Sequence, residues 1–192
     1  MIAGIEAAQR AGLRTLKVNT VLMRGVNDDE AIPMLRHALE HDWSLRFIEQ
    51  MPLDAGGSWE RSEMITVDEI FSTLSTEFDL EAVPTRGSAP AEEFLVDGGP
   101  ATVGIIASVS KPFCAACDRL RLTADGQIRN CLFAREETDV RATLRDDSIS
   151  EEERRVRLAR LFASSVQAKL PGHGINDPLF IQPARPMSAI GG

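Results

Sequence analysis

Long apolar segments and broad basic stretches are both missing from this sequence. No apolar run approaches the ~20 residues of a transmembrane helix, and the first residues lack the basic and apolar segments of a signal peptide. We therefore expect a cytoplasmic protein without a membrane partner. The net charge of −8 argues against a nucleic-acid partner, although local basic clusters can still bind small anions. With 43% hydrophobic and 26% charged residues, the composition is that of a globular protein.

The first part of the chain alternates predicted helices and strands. Apolar spacing predicts helices over residues 1–12, 29–41 and 67–78, and β-branched or apolar runs predict strands over 15–23 and 45–51. This alternation is typical of parallel α/β units, and we predict an α/β fold.

The pattern changes after residue 82, where shorter strands and turns follow one another. Strands are predicted over residues 94–96 and 102–109, and Asp125-Gly126 predicts a hairpin turn between two further strands. A long helix over 150–170 begins with a capping box of Ser150 and Glu153. The predicted domains are therefore an α/β region over 1–82 and a hairpin-rich region over 83–192.

The chain begins without a residue that could cap its first helix. Residues 1–12 have the amphipathic spacing of a helix that stops at Gly12, but no N-cap precedes them. We interpret this as the middle of an element, and so as a piece of a longer chain. The alternative is a frayed terminal helix.

The first predicted strand carries polar residues on one face. Alternation puts Lys17 and Asn19 on the same side, whereas strands of a parallel sheet are normally apolar on both faces. The pair predicts a bound ligand or partner at this face. The alternative is an edge strand with a solvated face.

Three cysteines form the pattern with the clearest chemical meaning. Cys114 and Cys117 stand in a Cys-x-x-Cys turn, and a predicted hairpin can return Cys131 to them. A structural zinc site would need a fourth cysteine or histidine. A [4Fe–4S] cluster held by only three cysteines would keep one iron open for an exogenous ligand. The alternatives are zinc, or a buried cysteine pair with an unrelated third cysteine.

Two arginines follow the cysteine turn with strand spacing. Arg119 and Arg121 are two residues apart, so their guanidinium groups project to one side. Paired guanidinium groups bind phosphate oxygens well. Beside a cluster with an open iron they predict an anion pocket, and the alternative is a solvated strand face.

These segments together resemble the GTP 3′,8-cyclase family, the radical-SAM lyases of molybdenum cofactor biosynthesis. The resemblance covers nearly the whole chain, in the family's order. It rests on Lys17-Val-Asn-Thr-Val21, Arg24-Gly-Val-Asn-Asp28, Arg46-Phe-Ile-Glu-Gln-Met51, Phe113-Cys-Ala-Ala-Cys-Asp-Arg-Leu-Arg-Leu-Thr-Ala-Asp-Gly126, Cys131-Leu-Phe133 and Met187-Ser-Ala-Ile-Gly-Gly192.

The resemblance implies a fold and an activity for the full-length protein. The fold would be the C-terminal part of an incomplete (β/α) TIM-like radical-SAM barrel, followed by the hairpin-rich cluster-binding region and a C-terminal helix. The enzyme would convert GTP into (8S)-3′,8-cyclo-7,8-dihydroguanosine 5′-triphosphate, using S-adenosyl-L-methionine and two [4Fe–4S] clusters. It would work as a homodimer.

The resemblance also implies roles for single residues. Cys114, Cys117 and Cys131 would ligate a [4Fe–4S] cluster whose open iron meets the guanine end of GTP. The other roles concern substrate, cosubstrate and catalysis. They are GTP binding by Lys17, Arg119, Leu120 and Arg121, S-adenosylmethionine binding by Met51 with Arg46 at the same site, and catalysis by the tail residues Gly191 and Gly192.

One family motif has no counterpart in the sequence. The Cys-x-x-x-Cys-x-x-Cys set that holds the S-adenosylmethionine-cleaving cluster is absent. We therefore expect the missing half to lie upstream of Met1 and this chain alone to be inactive. The alternatives are a subunit of a split cyclase, or a stand-alone iron–sulfur or zinc binding protein.

Overall fold

The computed structural model describes residues 2–13, 15–54, 56–84 and 86–190. They form two units, one comprising Met1–Gln50 with Glu60–Phe113 and the other Met51–Trp59 with Cys114–Gly192. The first unit contains α1 (Ile2–Arg10), β1 (Lys17–Val21), α2 (Ala31–Glu40), β2 (Ser44–Ile48), α3 (Val67–Leu74), β3 (Leu80–Ala82), β4 (Glu92–Val96) and β5 (Thr102–Ile106). The second unit contains β6 (Arg121–Leu122), β7 (Gln127–Arg129), β8 (Thr138–Asp139), α4 (Arg141–Leu144) and α5 (Glu151–Gln167), with 3₁₀ turns at Cys114–Ala116 and Met187–Ala189.

The first unit is built on a mixed five-stranded sheet in the order β1-β2-β5-β4-β3. β1, β2 and β5 are parallel, while β4 pairs antiparallel with both β5 and β3. The predicted α/β class is confirmed, because α2 connects the parallel strands β1 and β2 as the alternating pattern indicated.

The hydrophobic core of the first unit lies on one face of this sheet. Alternate positions of the central strands, such as Leu45, Phe47, Val103 and Ile105, are buried there, and they meet the apolar stripes of α2 and α3. α3 begins with a capping box in which Thr66 and Glu69 exchange hydrogen bonds.

The second unit has a small antiparallel sheet in the order β6-β7-β8. The predicted hairpin at Asp125-Gly126 is confirmed as the turn between β6 and β7. Gly126 has a φ of +85°, and a Cβ there would lie 2.6 Å from the Cβ of Arg141 in α4. Both the backbone conformation and this close approach require glycine at the turn.

Several predicted elements differ from the structure at their ends or in their neighbours. α5 ends at Gln167, and its predicted capping box is only half formed, because the carboxylate of Glu153 pairs with Arg157 while its N–H binds the Ser150 hydroxyl. The predicted division at residues 82 and 83 differs from the structural units, because β4 and β5 join the sheet of β1 and β2.

None of the helices in the described part of the chain has the length and apolar character of a membrane-spanning helix.

Candidate functional site

The three cysteines all lie in the second unit. Cys114 opens a 3₁₀ turn, and the N–H of Cys117 donates to the carbonyl of Cys114 at 3.1 Å. Cys131 follows β7, the second strand of the hairpin. Each thiol is half-buried, so all three are shielded from bulk solvent without being sealed in a core.

The three cysteine thiols influence one another's pKa values or lie beside groups that do. Burial raises the pKa of the Cys114 thiol, and the negative charges that Cys131 and Cys117 carry when ionised raise it further. Burial also raises the pKa of Cys117, but hydrogen bonds and positive charge from Arg119 outweigh this effect, so the pKa lies below its usual range. The structure therefore places Arg119 near Cys117, and Cys117 and Cys131 near Cys114.

Arg119 and Arg121 lie close enough to repel each other. Burial lowers the pKa of the Arg121 guanidinium, and the charge of Arg119 lowers it further. The thiolate charges of Cys131 and Cys117 act in the opposite direction. A bound anion would relieve the repulsion between the exposed Arg119 and the half-buried Arg121.

The donor set bears on the kind of metal centre. A structural zinc site normally takes four protein ligands, whereas three cysteines can hold a [4Fe–4S] cluster and leave one iron open. Three half-buried cysteines in one unit therefore fit a cluster with an open iron.

A lysine that the sequence analysis missed holds the two cysteine segments together. Lys169 Nζ donates hydrogen bonds to the carbonyl oxygens of Arg119 at 2.9 Å and Asn130 at 2.5 Å. Asn130 also donates its side-chain amide to the carbonyl of Ser165 in α5. No local sequence signal reveals Lys169, because its partners are 50 and 39 residues away.

A network of ion pairs connects the C-terminal tail to the hairpin. Arg185 pairs with Asp125 at 2.7 Å and with Glu137 at 2.9 Å, and Glu137 also pairs with Arg129, which is 2% exposed. Hydrogen bonds from Arg185 and Thr123 lower the pKa of Asp125. Arg129 is thus committed to this network and is not free to bind substrate.

The end of the tail is held within the second unit. The N–H of Met187 donates to the carbonyl of Leu53 at 2.9 Å, and Ile190 is 0% exposed. The predicted catalytic residues Gly191 and Gly192 lie outside the described residues. Met51, predicted to bind S-adenosylmethionine, is half-buried at the start of the 51–59 segment of this unit.

The polar face of the sheet in the first unit carries the other predicted residues. Lys17 and Asn19 are exposed on β1, and Arg46 is the β2 partner of Asn19 in the sheet register. The side chain of Arg46 is 19% exposed and lies over Gly104, where a Cβ would come within 3.0 Å of its Cγ. Its nearest carboxylate is Glu93, at 3.8 Å. Lys17 and Arg46 therefore belong to one face, opposite the apolar core.

A buried carboxylate orders the carboxyl ends of two strands in the first unit. Glu49 follows β2, is 0% exposed, and accepts hydrogen bonds from the N–H groups of Val67, Val109 and Ser110, each at 2.8 Å. It also accepts one from the Ser110 hydroxyl. Glu49 thereby connects β2 to the start of α3 and to the segment after β5.

Comparison with known proteins identifies the family. The profile of the family described as Molybdenum Cofactor Synthesis C matches residues 43–175, more than half of the chain. The chain belongs to this family. It is 57% identical to a GTP 3′,8-cyclase of Streptomyces coelicolor, 52% identical to one of Mycobacterium sp. strain KMS and 50% identical to GTP 3′,8-cyclase 2 of Mycobacterium tuberculosis H37Rv.

These relatives are longer than this chain. Each alignment covers 100% of this chain but only 55%, 54% and 53% of the respective relative. The chain therefore spans about half the length of these relatives. The predicted resemblance to the GTP 3′,8-cyclases is confirmed, and its assignment to the C-terminal half of such an enzyme fits this coverage.

Proposed function

We propose that this chain is the cluster-binding and GTP-binding part of a GTP 3′,8-cyclase, a lyase of molybdenum cofactor biosynthesis. Similarity to proteins of that name extends over the whole chain. The observation that carries the proposal is the coupling of Cys114, Cys117 and Cys131 with Arg119 and Arg121 in one structural unit. The full-length enzyme would convert GTP into (8S)-3′,8-cyclo-7,8-dihydroguanosine 5′-triphosphate.

In this proposal Cys114, Cys117 and Cys131 hold a [4Fe–4S] cluster. Three thiolate ligands leave one iron open, and the chemistry supplied by the bound cluster is a Lewis-acidic position for the guanine end of GTP. The donor set fits such a group, because the cysteines are half-buried and Arg119 favours the thiolate form of Cys117.

The arginines beside the cysteines bind the triphosphate in this proposal. Arg119 and Arg121 offer guanidinium forks to the phosphate oxygens, and the anion would relieve their mutual repulsion. Leu120, half-buried between them, adds apolar contact, and Lys17 adds a point charge. Lys169 acts indirectly, by fixing the backbone at Arg119.

The remaining roles concern the cosubstrate and the tail. Met51, with Arg46, would bind S-adenosyl-L-methionine. Gly191 and Gly192 would reach the reacting substrate with backbone alone. The buried Ile190 and the pairs of Arg185 supply an anchor for such a tail.

The whole enzyme requires more than these 192 residues in this proposal. The sheet of the first unit would be the last part of an incomplete (β/α) barrel, and the active form would be a homodimer. The 192 residues hold three cysteines, all assigned to one cluster, and so have no ligands for a second. The reconstituted chain given GTP, S-adenosylmethionine and dithionite should release no 5′-deoxyadenosine, and its release would contradict this part.

Anaerobic reconstitution with iron and sulfide tests the proposed function. We expect a brown chain with about four irons, and Cys131→Ser should lose most of them because two thiolates from one turn do not hold the cluster. Ser72→Ala, at an exposed position of α3 away from the cysteine segments, is the control and should keep its iron. A colourless chain with one tightly held zinc ion would overturn the cluster assignment.

A further inference from the structure

Helix α2 and the residue that follows it carry three metal-ligand side chains that the proposed function does not use. His37, Glu40 and His41 each offer a ligand atom, and these atoms all lie within 4.8 Å of one another. His37 and Glu40 are one turn apart in α2, and His41 is the C-cap residue directly after the helix. The group lies in the first unit, whereas the cysteines lie in the second.

The hydrogen bonding of His41 leaves its other nitrogen available as a ligand. His41 Nδ1 lies 2.8 Å from the carbonyl oxygen of His37. A carbonyl can only accept, so Nδ1 must carry the proton, and Nε2 of the neutral ring then has a free lone pair. Histidines that bind metals commonly have this arrangement, with one nitrogen donating to a backbone carbonyl and the other facing the ion.

The other two members of the group lack partners among the described residues. His37 Nε2 is buried without a hydrogen-bond partner there, and the exposed Glu40 carboxylate makes no ion pair or hydrogen bond within the same ranges. Buried polar atoms are normally satisfied. A cation between the three side chains would give His37 Nε2 a ligand bond and would neutralise Glu40.

The ligand types indicate which ion would bind. Two imidazoles and one carboxylate suit Zn²⁺, Ni²⁺ or Cu²⁺, whereas Mg²⁺ and Ca²⁺ prefer oxygen ligands alone. Ligands at about 2.0–2.2 Å from zinc in a tetrahedral site lie about 3.4 Å apart. Since the present atoms lie within 4.8 Å of one another, closing around the ion requires changes of no more than about 1.4 Å in these distances. The His-x-x-Glu-His spacing on a helix also occurs in one class of zinc enzymes.

We propose that His37, Glu40 and His41 form a binding site for a divalent transition-metal ion of the Zn²⁺ class. Three protein ligands leave at least one coordination position for water or for another group. The ligands come from α2 and its C-cap residue, so they lie within five consecutive residues. The site is therefore independent of the proposed cyclase function.

Trp43 provides a built-in reporter for this site. Its ring lies 5.1 Å from the rings of both His37 and His41, so bound Ni²⁺ should quench its fluorescence. The experiment uses the full 192-residue chain with Trp59→Phe, which leaves Trp43 as the sole tryptophan, and with all three cysteines changed to serine. The serine changes remove competing thiolates.

Titration with Ni²⁺ should give saturable quenching at about one ion per chain. Either His37→Ala or His41→Ala should weaken binding about tenfold or more, since even loss of an outer-shell partner costs about that much. The matched controls, His173→Ala and Glu81→Gln, should leave the affinity unchanged. Absence of saturable quenching, or an affinity that both histidine changes leave intact, would overturn the site.

If the histidine variants fold poorly, the site can still be tested by titrating Zn²⁺ into the protein that keeps all three histidines. Ring-nitrogen NMR shifts of two histidines should move together with Zn²⁺, while those of His173 stay constant. Movement of His173 alone, or of none of the three, would contradict the proposal. Quenching without bound Ni²⁺ in equilibrium dialysis would also contradict the proposal, because it would reflect repacking of the aromatic rings alone.

Discussion

Lys169 Nζ lies 2.5 Å from the carbonyl oxygen of Asn130, the residue that precedes Cys131. The same ammonium group lies 2.9 Å from the carbonyl oxygen of Arg119, two residues after Cys117. One side chain just beyond the end of α5 therefore fixes the backbone on both sides of the hairpin that separates these cysteines. We interpret Lys169 as a positioning residue for the proposed cluster ligands.

Lys169→Met should weaken the cysteine site. The two carbonyl groups lose a charged donor, and we expect the free energy of unfolding to fall by about 2 kcal/mol. The reconstituted variant should also lose iron to a chelator faster than the parent chain. The control is Lys111→Met, which removes an exposed pair with Asp68 and should cost under about 1 kcal/mol. Equal iron-loss rates for Lys169→Met and the parent would contradict the positioning role.

Replacing both Arg119 and Arg121 with alanine should weaken GTP binding in the full-length enzyme. Each charged hydrogen bond contributes about 1.5–3 kcal/mol, so calorimetry should show a loss of well over tenfold in affinity. Lys17→Ala should act in the same direction but more weakly, as a single point charge. Arg155→Ala, which changes an exposed arginine of α5, is the control. Unchanged GTP affinity would favour the alternative that both arginines lie on a solvated strand face.

Glu49→Gln should destabilise the first unit although the side chain keeps its size. The amide places an NH₂ group where N–H donors of Val67, or of Val109 and Ser110, now point. Unsatisfied buried donors cost about 1–3 kcal/mol each, so urea unfolding should show a loss of about 3 kcal/mol. Glu81→Gln, at an exposed position, should change stability by under about 0.5 kcal/mol. A small effect at Glu49 would mean that this carboxylate does not order the strand ends.

Stability of the first unit should depend on the ionisation of Glu69. The hydrogen bond from Arg24 at 2.7 Å, followed by that from the N–H of Thr66, lowers the pKa of Glu69 to about 2. Because the folded pKa is depressed, this stabilisation is present above about pH 5 and is lost as the pH falls toward about 2.

Glu69→Gln should therefore flatten the stability profile between about pH 5 and pH 2. The carboxylate is 45% exposed, so solvent screening reduces the expected effect to about 1 kcal/mol at neutral pH. Urea unfolding at several pH values measures it. A Glu69→Gln profile parallel to that of the parent chain would show that the pair with Arg24 contributes nothing.

Local patterns predicted the elements and the cysteine turn, whereas long-range pairing remained hidden. The apolar spacing of α2 and the Asp125-Gly126 turn indicated their structures directly, because helix faces and hairpin turns depend on nearby residues. That β5 lies beside β2 depends on contacts about 60 residues apart, which no local signal encodes. Glu49 and Lys169 were missed for the same reason.

The candidate site was likewise predictable from the sequence only in part. The spacing of Cys114, Cys117 and Cys131 and the alternation of Arg119 and Arg121 indicated a metal and an anion from sequence alone. The electrostatic interactions among these groups could be recognised only in the structure, because they depend on how the hairpin returns Cys131 to the segment of Cys114 and Cys117.

The most direct test of the central claim is electron paramagnetic resonance of the reduced cluster during GTP titration. If Cys114, Cys117 and Cys131 hold a [4Fe–4S] cluster with an open iron, GTP should change the spectrum, and guanine labelled with ¹⁵N should add nitrogen hyperfine coupling. Arg119→Ala with Arg121→Ala should move this change to higher GTP concentration. A cluster whose spectrum stays the same while calorimetry shows GTP bound would contradict the account.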